Sequence, residues 1–311
     1  MTPAPFPHPQ PAPLILSNRD EDILRAVSTY RFVTAKDMCA LLYSPKSLTF
    51  VRERLSALSG HKDHVTDGSY PLYRFALPTA TIGNRERIYT LSTTGRQILE
   101  SLGLPVDWHF QPSKVRNFSH SHILYNIILT RFVVAAHTWS LTQAHTTLVA
   151  SRLCYELARD PVLLAVHQDG NATTVPVIPD CSFWFRTAGT RSHVLFELDR
   201  GMEDASRYLA HVKARLAFIR SGAYERVFQT KAVIIAYATT GRIAAYRETR
   251  RRALCALTQE ALTELHEESL ARIFRFTAVQ FETLYEHAPS LFVGPVWYRP
   301  DSSTPIPLLT A

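Results

Sequence analysis

The chain has 311 residues, 46% of them hydrophobic, and a formal charge of +7. That length holds one large or two modest domains, and the apolar content excludes a chain that is disordered throughout. The positive balance agrees with a polyanionic partner, because surface Lys and Arg gain affinity for phosphate by releasing counterions, although where the charge sits matters more than its sum.

Residues 1–16 are dominated by Pro and Ala and lack the basic start of a secretory signal, so they read as a disordered tail. Ser17 or Asn18 then offers an N-cap, Asp20, Glu21 and Asp22 suit a first turn, and Ile23, Leu24 and Val27 form the apolar stripe of a first helix. Thr34 stands three residues before Asp37, a capping-box spacing, with Met38, Leu41 and Leu42 following at helical intervals. Ser44-Pro45 starts a third helix, in which Leu48, Val51, Leu55 and Leu58 repeat up to Gly60. Leu72–Phe75 and Arg87–Leu91 are predicted to pair as wing strands around Gly83-Asn84-Arg85, and Ser92–Leu99 to close the unit.

This order predicts a winged helix-turn-helix over residues 17–103. In such a fold the third helix enters the major groove, so Lys46, Ser47, Thr49, Arg52 and Arg54 are the expected DNA-facing side chains, with Arg85 and Arg87 on the wing meeting backbone phosphate. The plainer alternative is that they are ordinary solvated residues and that the winged helix binds protein.

Residues 104–118 carry two prolines and no periodicity, so a linker is expected there, followed by a second domain over 119–300 and a C-terminal tail over 301–311. Ser119–His122 caps a long helix. Its apolar run, Ile123–Trp139, is interrupted by Asn126, Thr130, Arg131 and His137, which points to a buried helix and no membrane span. Cys39, Cys154, Cys181 and Cys255 are scattered without zinc or disulfide spacing, which fits a reducing cytoplasm.

The most informative stretch is Val175–Phe185 followed by Ser192–Gly201, two β-like segments around Thr187-Ala188-Gly189-Thr190. A hairpin centred on Ala188 and Gly189 sets Asp180 directly opposite Glu197, and period-two alternation adds Asp199 to the same face. Carboxylates gathered on a mostly apolar sheet require a compensating cation or hydrogen bonds, and a divalent metal is one solution. Beyond the hairpin, Asp204–Arg220 reads as a helix with Lys213 on its apolar stripe. Lys231–Tyr237 reads as a buried strand, Arg242–Leu257 as a helix bearing Arg247, Arg250, Arg251 and Arg252, and Arg272–Thr277 as a short strand. The sum is an α/β (α+β) core with a mixed sheet.

Val177-Ile178-Pro179-Asp180, Phe196-Glu197-Leu198-Asp199-Arg200-Gly201-Met202-Glu203, Lys213 and Ala238-Thr239-Thr240-Gly241-Arg242 together resemble the bacterial replication-relaxation proteins. The resemblance extends from about Ser17 to Pro300. It implies a winged helix followed by a PD-(D/E)xK restriction-endonuclease-like domain, related to some plasmid mobilisation relaxases. By position, Asp180 and Glu197 match the metal-binding acids of that nuclease motif. The lysine usual two residues later is Asp199 here, so Lys213 would supply the positive charge, and Glu156 would be an additional acid from an early helix.

The chemistry implied is phosphodiester cleavage, with Mg²⁺ or Mn²⁺ on Asp180 and Glu197 and with Lys213 orienting hydroxide. A relaxase would instead use a tyrosine such as Tyr208 or Tyr224. The competing reading pairs the acids with arginine or lysine and makes the second domain structural, leaving a non-catalytic DNA-binding replication accessory or transcriptional regulator. The Arg247–Arg252 cluster grips phosphate on either DNA-binding reading, or is a solvated helix face. The expected partners are double-stranded DNA, a second copy of the chain, and replication or conjugation proteins of a plasmid or mobile element.

Overall fold

The computed structural model describes residues 15–60, 69–76, 86–104, 106, 110–159, 161–168, 171–241 and 243–309. Residues 1–14, the Gly83–Arg85 tip with Arg85, and Arg242 lie outside them. The chain divides into two compact units, Met1–Ile127 and Ile128–Ala311.

In the first unit, Ser17 caps helix α1 (Asn18–Tyr30): its N–H and Oγ both donate to Asp20 Oδ2, at 2.6 and 2.7 Å. Strand β1 (Val33–Thr34) leads into α2 (Ala35–Leu42) through the predicted capping box, Thr34 N donating to Asp37 Oδ2 at 2.6 Å. A single turn, Pro45–Ser47, precedes α3 (Leu48–Leu58). Strands β2 (Leu72–Ala76) and β3 (Arg87–Leu91) pair antiparallel, and α4 (Thr93–Ser101) starts on Ser92, whose Oγ accepts from Gly95 N at 3.0 Å. The sheet order is β1-β3-β2.

Ile23, Leu24, Val27, Met38, Val51 and Leu55 fill the core of this unit. Phe110, Val115, Ile123 and Ile127 are buried in the same core. This corrects the expected linker over 104–118: its apolar side chains belong to the first unit's packing, and the unit boundary falls inside α5 (His120–Leu141). The irregular composition of the stretch concealed short 3₁₀ turns over Pro112–Asn117 that present Val115 inward.

The second unit is mixed α/β. In chain order it contains β4 (Thr146–Leu153), α6 (Cys154–Leu157), β5 (Val162–Gln168), β6 (Asn171–Val177), β7 (Cys181–Thr187), β8 (Thr190–Asp199), α7 (Ala205–Arg220), α8 (Ala223–Phe228), β9 (Val233–Thr239), α9 (Ala244–Glu264), β10 (Phe274–Ala278), α10 (Ala288–Val293), β11 (Trp297–Arg299) and β12 (Ser302–Ile306). Seven strands form one sheet in the order β12-β11-β10-β9-β8-β7-β4. β8, β9 and β10 run parallel and the remaining pairs are antiparallel.

Helix-bearing crossovers join the parallel strands, as parallel pairing requires. Along β8, Leu195 packs into the core shared with Val212 and Leu216 of α7 and Leu254 of α9, whereas Phe196 meets Phe132 of α5 with ring centroids 4.5 Å apart. The two faces of the sheet therefore have different helical covers.

Two expectations are corrected here. Val175–Phe185 is not one segment: β6 forms a two-stranded sheet with β5, and the chain breaks at Ile178-Pro179-Asp180 before β7 joins the large sheet. Residues 301–311 are not simply a tail, since β12 adds the outermost strand and Leu308 and Leu309 are buried. Among the described residues no helix is long and apolar enough to cross a membrane.

Candidate functional site

The β7–β8 hairpin turns through Ala188 and Gly189, both at positive φ (47° and 86°), which gives a two-residue link of the kind that matches strand twist. The register runs from Thr187↔Thr190 to Cys181↔Phe196, so Asp180 and Glu197 are the next opposed positions, as the hairpin centre predicted. Asp180 sits just beyond the ladder. Its main-chain oxygen accepts from Cys154 N at 2.8 Å and its Oδ2 from Leu198 N at 2.7 Å, so the carboxylate is turned onto the backbone of β8.

Glu197 meets a guanidinium: Arg215 of α7 donates to its Oε1. Both side chains are nearly out of water, at 12% and 8% exposure. Burial pushes the Glu197 carboxyl up to about 8, against the pull of Arg215 and with the help of the nearby Asp180 charge. Burial works against the charge on Arg215 too, yet Glu197 holds its pKa above the usual range. The Arg215 guanidinium lies 6.0 Å from the Tyr237 ring centroid, and Arg215 Nε and Tyr237 Oη are buried without a hydrogen-bond partner among the described residues.

Asp199 has its own cation. Arg250 of α9 donates from Nη2 to Asp199 Oδ2 at 2.8 Å and to Glu203 O at 2.8 Å, while Gly201 N closes on Asp199 Oδ1. Gly201 is at φ +74°, a left-handed conformation that strains any L side chain, and so suits the turn after β8.

The assigned lysine is not in this group. Lys213 extends to Glu264 at 2.8 Å and is 39% exposed. The stripe of α7 that faces the sheet is Tyr208, Val212, Arg215 and Leu216, which puts the cation two residues further along. Arg215 is the side chain that the sequence reading missed. Its signal was available: it lies three residues after Val212 and four before Ile219, in phase with the core.

Glu156 is also reassigned, because its Oε2 accepts from Leu153 N at 2.8 Å and closes the start of α6. The expected phosphate grip of α9 is corrected as well. Arg250 is held by Asp199; Arg247 donates to Gly241 O at 2.6 Å; Arg251 pairs with Glu248 and lies 3.8 Å over the Tyr298 ring. Neither tyrosine considered as a nucleophile is accessible. Tyr208 shares a 2.6 Å hydrogen bond with Thr258, and Tyr224 one of 2.8 Å with His193, and both are buried.

These contacts do not fit a preformed Mg²⁺ or Mn²⁺ site. Such an ion needs several oxygen ligands free to converge. Here Glu197 holds a guanidinium, Asp180 an amide, Asp199 a guanidinium and an amide, and Glu156 an amide. Among the described residues no three His, Cys, Asp or Glu side chains gather as metal ligands.

In the first unit, Lys46, Thr49 and Arg52 are exposed together on the Pro45–Ser47 turn and α3, opposite buried Val51, Leu55 and Leu58. Phe50 beside them is 45% exposed. Ser47 is half-buried, its Oγ 3.3 Å from Ser44 Oγ, and Arg87 is half-buried at the start of β3. Arg54, expected on that face, is corrected: it is committed inward, its guanidinium donating to the fully buried Asp20. No protein-family model, no curated protein and no solved structure matches the chain.

Proposed function

We propose that the protein is a double-stranded DNA-binding protein of plasmid or mobile-element replication or mobilisation, acting as a non-catalytic accessory or regulator. Its first unit is read as a winged helix and its second as a restriction-endonuclease-like domain with a closed acidic centre. The observation that carries this reading is the outward face of α3. Lys46, Thr49 and Arg52 stand clear of the core, while the neighbouring Arg54 is held by Asp20. A helix presented after α1 and α2 on a unit with a β1-β3-β2 sheet suits the major groove, where exposed basic residues meet phosphate and polar side chains reach base edges. The chain also resembles the replication-relaxation proteins in its Glu197-Leu198-Asp199-Arg200-Gly201 run.

The reading is tested by titrating a duplex oligonucleotide with the protein at several salt concentrations. Binding that weakens linearly in log salt supports it, and absence of duplex binding at low salt overturns it. Metal-dependent nicking is the second reading, favoured by the convergence of Asp180 and Glu197 at one end of the sheet. It requires Arg215 to give up Glu197. Supercoiled plasmid incubated with the protein and Mg²⁺ or Mn²⁺ is therefore expected to stay intact. Conversion to open circles by the wild type, absent in Asp180→Ala, would establish the nuclease instead.

A further inference from the structure

Away from the acidic centre, the sheet sets two arginines against each other. β10 and β11 are antiparallel, and continuing by one pair the register that sets Phe276 opposite Tyr298 brings Arg275 opposite Arg299. β12 continues the row with Ser302 opposite Arg299. Followed the other way, Arg275 is level with Ala236, Ala236 with Phe196, and Phe196 with Cys181. One transverse row of the face covered by α5 thus changes from Cys181, Phe196 and Ala236, all buried, to Arg275, Arg299 and Ser302, all half-buried. Like charges directly opposed across strands destabilise a sheet, and an anion placed between them relieves that repulsion.

The partners inside the chain are incomplete. Arg275 spends Nη1 on Arg272 O at 2.6 Å and Phe274 O at 2.8 Å, but its Nε is buried without a partner among the described residues. Arg299 Nε is ion-paired with Asp301 Oδ1 at 3.1 Å but is buried without a hydrogen-bond partner among the described residues. Asp301 offsets one of the two positive charges. Burial and the repulsion of Arg299 bring the Arg275 guanidinium down to about 10.

We propose that Arg275, Arg299 and Ser302 form a binding site for a phosphoryl group. The Arg299 guanidinium, the remaining amino group of Arg275 and the Ser302 hydroxyl, whose oxygen accepts from Thr304 N at 3.2 Å, offer donors to the several oxygens of one tetrahedral anion, which also cancels the charge left after Asp301. The site does not depend on the α3 face or on the Asp180–Glu197 centre. The same chemistry is supplied by free phosphate, by a mononucleotide, or by a phosphodiester of duplex DNA.

The test is thermal unfolding of the full chain at constant ionic strength, with inorganic phosphate replacing chloride and, in separate arms, a mononucleotide or a duplex oligonucleotide added. A saturable rise in Tm with phosphate is expected. Arg299→Gln should shift its midpoint about tenfold or more toward weaker binding, and Arg299→Lys, which keeps the charge but not the fork, should recover only part. Arg299 is partly exposed, so these variants are expected to fold. If Arg299→Gln also reduces the duplex-induced rise, the phosphoryl group is that of the DNA backbone; if it affects only phosphate or the mononucleotide, the ligand is small. No saturable rise in any arm, or rises unchanged in both Arg299→Gln and Arg275→Gln, overturns the site and leaves Arg275 as a cap on the Arg272 and Phe274 carbonyls.

Discussion

Arg215 and Lys213 stand two residues apart on α7 and serve opposite economies of charge. Arg215 lies on the sheet-facing stripe against Glu197 with Asp180 close by; Lys213 bridges to Glu264 at the surface. Removing one partner of a buried pair leaves the other charge stranded. Above pH 8, where Glu197 is ionised, Arg215→Ala is thus expected to lower unfolding stability by about 3–5 kcal/mol in urea titrations, whereas Lys213→Ala should cost no more than ~0.5 kcal/mol. Equal effects would mean that the pair is not buried in solution. The same site shapes the pH response. Glu197, at about 8 in the fold against 4.5 ordinarily, binds its proton more tightly when folded; its stabilising contribution is complete below 4.5 and is lost as pH rises through 8. His193 runs the other way. Burial and the Arg152 charge bring it from 6.5 to about 3, so its contribution is present above 6.5 and is lost as pH falls. Glu197→Gln, fixed in the neutral form, should flatten the decline in stability between 4.5 and 8 while leaving the loss on the acid side of 6.5 in place. A decline unchanged in that variant would remove Glu197 as its source.

At the scale of an element, α3 separates reading from support within three residues. Arg52→Ala is expected to weaken duplex binding and reduce the salt slope by about 1 with little change in Tm. Arg54→Ala should lower Tm, because Asp20 is fully buried and Arg54 is its cation. Loss of duplex binding from Arg54→Ala alone, at temperatures where it is folded, would reverse these assignments. How legible each element was follows from how local its determinants are. The Thr34–Asp37 box, the Asp204 cap of α7 and the hairpin register are set by residues within a few positions of one another, and all three were readable from the sequence. The partners of the acids were not. Which of Lys213 and Arg215 faces the sheet turns on the phase of α7, and α9 packs against strands distant in sequence, so the internal use of Arg247, Arg250 and Arg251 left no local mark. β4 and β12 also went unread, since each is an outermost strand of mixed polarity that its neighbour in the sheet completes.

Across the whole molecule, the first unit runs further than composition indicated. Phe110 makes edge contacts with Phe32 at 6.4 Å between centroids, Phe118 does so at 6.1 Å, and Ile123 and Ile127 complete the same core. A fragment ending at Gly103 leaves those places empty and should melt less cooperatively and at lower temperature than one ending at Ile127, as circular dichroism would record. Equal melting would restore 104–118 as a connection. The two-residue link at Ala188 and Gly189 has a wider reach than its size implies. A loop with one more residue would reverse the parity of β8 against β7, swinging Glu197 and Asp199 beneath the phenyl ring of Phe132 and turning Phe196 toward the guanidinium of Arg215. The polarity of an entire side of the sheet is thus decided at a bend nearly thirty residues ahead of the arginine that answers it.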